Sequence, residues 1–226
     1  MADKRSIMCF GDSLTWGWIP VAQSSPTHRY PFEQRWTGAM AGRLGEGYHI
    51  VEEGLSARTT SLDDPNDPRL NGSSYLPTAL ASHLPLDLVI VLLGTNDTKS
   101  YFRRTPYEIA NGVGKLAGQI LTCAGGVGTP YPAPKVLIVA PPPLAPMPDP
   151  WFDGMFGGGY EKSKELARHY KALAAFLKVE FFDAGEVVAT DGVDGIHFSA
   201  ETNIKLGHAL AEKVGSIFSD EPAGSH

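Results

Sequence analysis

Five short runs of apolar, largely β-branched residues recur along the chain: SIMCF (6–10), YHIVEE (48–53), LDLVIVLLG (86–94), KVLIVA (135–140) and VEFFD (179–183). A strand with one face in water alternates apolar and polar residues, whereas a strand covered on both faces is apolar nearly throughout. These runs therefore predict a parallel sheet flanked by helices. The segments between them carry helical spacing. Within 160–178, Leu166, Tyr170, Leu173 and Leu177 fall on one face and Lys162, Glu165, Arg168 and Lys171 on the other. Leu206, Leu210, either Lys213 or Val214, and Ile217 repeat the stripe behind a polar start at Ser199. Helices are also expected over 34–45 and 106–122, the second against the cost of glycines at 112, 114 and 118. Alternating β and α elements define the α/β class, here a three-layer α/β/α sandwich on five strands. At 226 residues the chain is expected to form one domain over 1–218, with a flexible tail over 219–226.

Several function classes are excluded early. Hydrophobic residues make up 42% and charged residues 19%, a globular composition with no apolar run of membrane-spanning length. The formal charge of -6 comes from 19 basic and 25 acidic residues, and the basic ones are scattered. That argues against a nucleic-acid partner. The first residues lack the apolar core and small-residue cleavage site of a secretion signal, so a cytoplasmic location is expected. Cys9 lies in the first apolar run and reads as a reduced core thiol, and Cys123 offers no metal or disulfide framework with it. No cofactor is implied.

Two stretches break the alternation: 56–77, SARTTSLDDPNDPRLNGSSYLP, and 141–159, PPPLAPMPDPWFDGMFGGG. Both read as long connections inside a compact domain, and loops of that length are more often functional than idle. The second carries Met147, Trp151, Phe152, Met155 and Phe156, apolar side chains that normally cover a pocket or a neighbouring subunit.

In parallel α/β sheets ligands collect beyond the carboxyl ends of the strands. Ser13 follows the first run, Gly54 to Ala57 the second, and GTND (94–97) the third. These loops bring a hydroxyl, flexible backbone amides and the carboxamide of Asn96 to one crevice. A serine is a poor nucleophile without a base. Of seven histidines, His197 alone sits in a glycine-rich loop, TDGVDGIHFS (190–199), with a carboxylate three residues upstream. A tight turn can set Asp194 on Nδ1 of His197 and leave Nε2 free to take the Ser13 proton. Asp191 in the same loop competes for the orienting role, and the shorter spacing favours Asp194. Each piece alone has a plainer explanation, as a helix cap or a turn. The aromatic pair Trp16 and Trp18 beside the nucleophile, with Ile196 and Phe198 beside the base, suggests an apolar rim for short acyl or aryl esters.

Together GDSL (11–14), Gly54 in EEGLSART, GTND (94–97) and DGIH (194–197) resemble the four ordered sequence blocks of the GDSL, or SGNH, family of serine hydrolases. The flanking stretches CFGDSLTWGW, DDPNDPRLNG and APPPLAPMP are similar to its bacterial arylesterase branch, which includes the mycobacterial acyltransferase and perhydrolase. The resemblance implies a flavodoxin-like sheet, homo-oligomers, Ser13 as nucleophile with Asp194 and His197, and no metal. It further implies an oxyanion hole from the Ser13 amide, an amide of the second block (Gly54 or Ala57) and the Asn96 side chain. Asp12 and Thr95, inside the first and third blocks, join Trp16, Trp18, Ile196 and Phe198 as expected substrate-binding residues. The expected activity is that of a serine esterase passing the acyl group to water, an alcohol or peroxide. Two alternatives stand beside it: an esterase for acetylated carbohydrate or a thioester, and a non-catalytic domain that holds an anion at the turn after Phe10.

Overall fold

The computed structural model describes residues 4–23 and 25–219. Strands β1 (Arg5–Gly11), β2 (Tyr48–Gly54), β3 (Leu88–Leu92), β4 (Lys135–Ala140) and β5 (Glu180–Asp183) form one sheet in the order β2-β1-β3-β4-β5, every neighbouring pair parallel. This is the doubly wound, flavodoxin-like order, with its switch point beside β1. Helices α1 (Ser13–Trp16), α2 (Trp36–Leu44), α3 (Gly72–His83), α4 (Pro106–Leu121), α5 (Pro150–Met155), α6 (Gly159–Leu177) and α7 (Ala200–Ser219) connect and cover the strands.

Strand side chains alternate between faces, so each run feeds two cores. Met8, Phe10, Val89, Val91, Val136 and Ile138 pack with α3, α4 and α6 on one side. Ile7, Cys9, Leu88, Ile90, Leu137 and Val139 pack with α2 and α7 on the other. This is why the runs are apolar throughout. Each such side chain contributes roughly 1.5–3 kcal/mol by leaving water, and truncating the fully buried Ile90 to Ala is expected to cost about 2–5 kcal/mol.

The helix over 106–121 forms despite its glycines because its start is fixed. Thr105 and Glu108 exchange side-chain-to-backbone hydrogen bonds in a capping box, and Pro106 occupies the first turn. Gly112 also has a packing reason, since a Cβ there would fall 2.0 Å from Thr60 Oγ1.

The two stretches read as loops are partly helical. Within 56–77, Asn71 caps α3 through its side chain, accepting from Ser73 N, and the helix runs on through Pro77. Within 141–159, Asp149 caps the short α5, accepting from Trp151 N and Phe152 N. Of the tail expected over 219–226, Ser219 instead ends α7, and residues 220–226 lie outside the described residues. Among the described residues no helix is long and apolar enough to cross a membrane.

Candidate active site

Register sets the site. Gly11 lies opposite Gly54 on β2 and opposite Leu92 on β3, so three adjacent strands end at one level. The chain therefore releases Ser13, Ser56 with Ala57, and Asn96 into the same crevice. Asp12 caps α1, its Oδ1 accepting from Leu14 N at 3.0 Å, which puts Ser13 at the first helical position. Ser13 is 6% exposed.

The fourth piece arrives from the loop before α7. His197 Nε2 is 2.8 Å from Ser13 Oγ, and His197 Nδ1 is 2.8 Å from Asp194 Oδ2. Asp194 is fully buried, and its other oxygen accepts from Ile196 N and His197 N, each at 2.9 Å. The loop is thus wound around the carboxylate that orients the imidazole. Burial alone would raise the pKa of Asp194, but the bonds and charge of His197 and the two backbone N–H groups hold it below the usual carboxylate range. Asp191, the competitor, is engaged elsewhere: it accepts from Ser199 N, Ser199 Oγ and Thr202 Oγ1 at the start of α7. The Trp18 ring stacks on the imidazole, with centroids 5.0 Å apart and planes 16° off parallel.

On the other side of Ser13, Asn96 Nδ2 donates to Asp12 Oδ2 at 3.3 Å and to Arg58 O at 3.2 Å, both long for an amide donor. Asp97 ties this turn to the loop after β2 by accepting from Thr60 N and Thr60 Oγ1. Arg58, 2% exposed, donates to Gly11 O at 2.9 Å and also to Glu53 O. Ala57 is held at φ 69°, a left-handed conformation that costs an alanine about 1 kcal/mol and persists where its surroundings fix it. Burial pushes Asp12 up to about 7, the nearby Asp97 adding to the effect against the Leu14 hydrogen bond and the charges of Arg58 and Lys99. Burial likewise pushes Asp97 up to about 6, opposed by its bonds from Thr60.

A cavity of about 170 Å³ opens over Ser13 and His197. Of the residues expected around a substrate, Trp18, Ala57, Asn96 and Ile196 line it. Four others are off its wall and need correction. Phe198 is 1% exposed and packs into the core with Leu206, Leu210 and Val214 of α7. Asp12 is fully buried beneath the site, where it caps α1 and accepts from Asn96. Thr95 is 5% exposed and acts through its carbonyl, which accepts from Thr98 N and Oγ1 to close the turn that presents Asn96. Trp16 lies outside the cavity, under the Arg29 guanidinium at 5.5 Å. Gly54 is also off the wall: a Cβ there would sit 2.4 Å from Trp16 N, so its glycine serves the close approach of β2 to α1. Of the two second-block candidates for the donating amide, Ala57 is the one that reaches the cavity.

Ser56, Lys99, Phe152, Met155 and Phe156 complete the wall. Sequence reasoning named neither Ser56 nor Lys99, and read Phe152, Met155 and Phe156 only as a cover for a pocket or a neighbouring subunit. Phe156 joins Leu144 and Ile196 in a small apolar cluster with Met147, Phe152 and Met155, so the 141–159 stretch folds over the site. The apolar residues of that stretch were a signal for a cover, but which ones face the cavity depends on where α5 begins. Lys99 is three residues beyond Asn96 and carried no signal of its own.

Residues 9–203 match the model of the GDSL-like lipase/acylhydrolase family. Among solved structures, the chain is similar to Est24, a carbohydrate acetylesterase from Sinorhizobium meliloti, with 82% identity, a TM-score of 0.94 and coverage of 95% of this chain and 100% of that one. It is also similar to the Mycobacterium smegmatis aryl esterase, with 66% identity, a TM-score of 0.93 and coverage of 94% and 99%. A second Sinorhizobium meliloti protein, a carbohydrate acetylesterase family member, shares 37% identity at a TM-score of 0.88, covering 95% and 99%. No curated protein sequence matches the chain.

Proposed function

The chain belongs to the GDSL-like lipase/acylhydrolase family and is a carboxylic-ester hydrolase, and from that premise we propose that Ser13 is its nucleophile, His197 its base and Asp194 the carboxylate that orients the base. The observation that carries this assignment is the unbroken hydrogen-bonded chain from Asp194 through both nitrogens of His197 to Ser13 Oγ. Membership of the family sets aside the non-catalytic binding domain.

The reaction follows from the geometry. His197 Nε2 accepts the Ser13 proton as Oγ attacks the ester carbonyl, and Asp194, held ionised, stabilises the imidazolium. The oxygen of the tetrahedral intermediate meets the backbone N–H groups of Ser13 and Ala57 and the Asn96 amide. The imidazolium then protonates the departing alcohol, leaving the acyl group on Ser13. An acceptor enters, His197 takes its proton, and the ester bond to Ser13 is broken. Water gives the acid, an alcohol gives a new ester, and peroxide gives a peracid.

The small cavity and its apolar wall of Trp18, Phe152, Met155, Phe156 and Ile196 favour short acyl groups and hold little water, which lets alcohols and peroxide compete. A second reading, favoured by the 82% identity with a carbohydrate acetylesterase, is that the natural substrate is an acetylated sugar. We also take the enzyme to be cytoplasmic, consistent with its unpaired Cys9 and Cys123. Homo-oligomers are the expected state, the 76% exposed Trp151 on α5 being suited to cover by a neighbour.

The test is a panel of aryl esters from acetyl to octanoyl, assayed with and without added alcohol. Activity is expected to fall with chain length, and a measurable fraction of the acyl group should appear as the new ester. Acid as the sole product at high alcohol would refute the transferase assignment while leaving the esterase intact.

A further inference from the structure

One cationic side chain in the cavity has no part in the steps above. Lys99 is 5% exposed and lines the cavity with Ser13, Asn96 and His197. It stands between two 3-10 turns, Asn96–Thr98 and Ser100–Phe102, the first presenting Asn96 and the second holding α5 through Ser100 Oγ, which donates to Gly154 O and Met155 O. Among the described residues the Lys99 ammonium makes no hydrogen bond and no ion pair. The rings of Phe156 and Tyr101 lie 5.9 Å and 6.0 Å from it, at the outer limit of cation–π attraction. The side chain is thus buried while its ammonium opens to the cavity, where it offers three N–H donors to whatever enters.

Its surroundings say what kind of acceptor suits it. Asp12, Asp64 and Asp97 all act on Lys99 electrostatically, while Arg58 is the other cation near Asp12. Three carboxyl groups against two cations leave no surplus positive charge to hold an anion. An incoming carboxylate would also meet the field of Asp12 and Asp97. A neutral oxygen meets no such opposition and still gains a hydrogen bond from a charged donor, the stronger kind. We propose that Lys99 is a specificity-determining residue whose ammonium donates to a hydroxyl or ether oxygen on the alcohol part of the ester, selecting polyol esters over hydrocarbon ones. The assignment to the alcohol part rests on the short-acyl esterase reading above, because an acetyl group has no second oxygen to offer. It gives the apolar cavity a charged donor outside the reacting centre.

The experiment compares glycerol monoacetate with phenyl acetate, two acetates that differ in the oxygens of the alcohol, in wild type, Lys99→Met and Lys99→Gln. Loss of a charged donor to a bound oxygen is expected to lower kcat/KM for glycerol monoacetate about ten- to a hundredfold in Lys99→Met. Phenyl acetate should fall by less than about threefold, and Lys99→Gln, which keeps a donor, should recover part of the glycerol monoacetate loss. An equal fall on both esters, with no recovery in Lys99→Gln, would mean that Lys99 only balances the charges of Asp12 and Asp97, and would overturn the proposal. So would equal retention of both activities. If wild type hydrolyses neither ester, it is the short-acyl esterase reading that fails, and the two failures are told apart by the wild-type control.

Discussion

Asp194 and Asp12 flank the same serine, and both are fully buried, yet their environments hold them in opposite conditions. Asp194 receives two backbone N–H groups and an imidazole, and stays ionised well into acid. Asp12 receives one backbone N–H and one long contact from Asn96, faces a second buried carboxyl at Asp97, and is held at about 7. Burial is common to both, so the donor count decides. The consequence is a division of labour across Ser13: a fixed negative charge behind the base, and beneath Asn96 two buried carboxyls that give up their protons at about 7 and about 6.

The largest effect should come from breaking the charged side. Asp194→Asn preserves shape but removes the charge and permits the wrong imidazole tautomer, and kcat on phenyl acetate is expected to fall about 10⁴-fold. A loss below tenfold would mean that Asp191 or another group orients His197. On the opposite side, Asn96→Ala removes the proposed neutral oxyanion donor, and kcat should fall about 10²–10³-fold while KM changes far less. A change mainly in KM would make Asn96 a ground-state binding residue.

The smallest effect concerns pH. A carboxyl whose folded value is raised binds its proton more tightly in the folded chain than in the unfolded one, so it opposes folding increasingly as pH rises. For Asp12 and Asp97 that window runs from the ordinary value of 3.8 up to about 7 and about 6. Asp194 has the opposite sign: its contribution is complete above the ordinary carboxyl range and is lost as pH falls through its lowered value. The Tm of Asp12→Asn should therefore decline less steeply between pH 5 and pH 7 than that of wild type, by scanning calorimetry. Parallel slopes would show that Asp12 is already ionised and that the contrast with Asp194 is false.

Much of this arrangement was legible in the sequence, for reasons that differ by element. The strands were legible because each is buried on both faces, which leaves a short apolar run that few other contexts produce. Helix α3 was not, because its first turns carry Gly72, Ser73, Ser74 and Pro77, residues that also make loops, and its start depends on the Asn71 cap. The pairing of Asp194 with His197 was readable because three residues and one turn separate them. What stayed hidden depended on long-range approach. Phe198 beside the base could not be assigned a side from its neighbours alone. Lys99 and Phe156 meet only because α5 folds back over the turn after β3.

The central claim is that residues 13, 194 and 197 work as one unit, and the most direct measurement of it is covalent capture. Wild-type enzyme treated with a fluorophosphonate should carry one adduct, located at Ser13 by peptide mass spectrometry, with labelling nearly abolished in His197→Ala. Folded wild type that resists the reagent, or that is modified at the same rate when the imidazole is gone, would contradict the account.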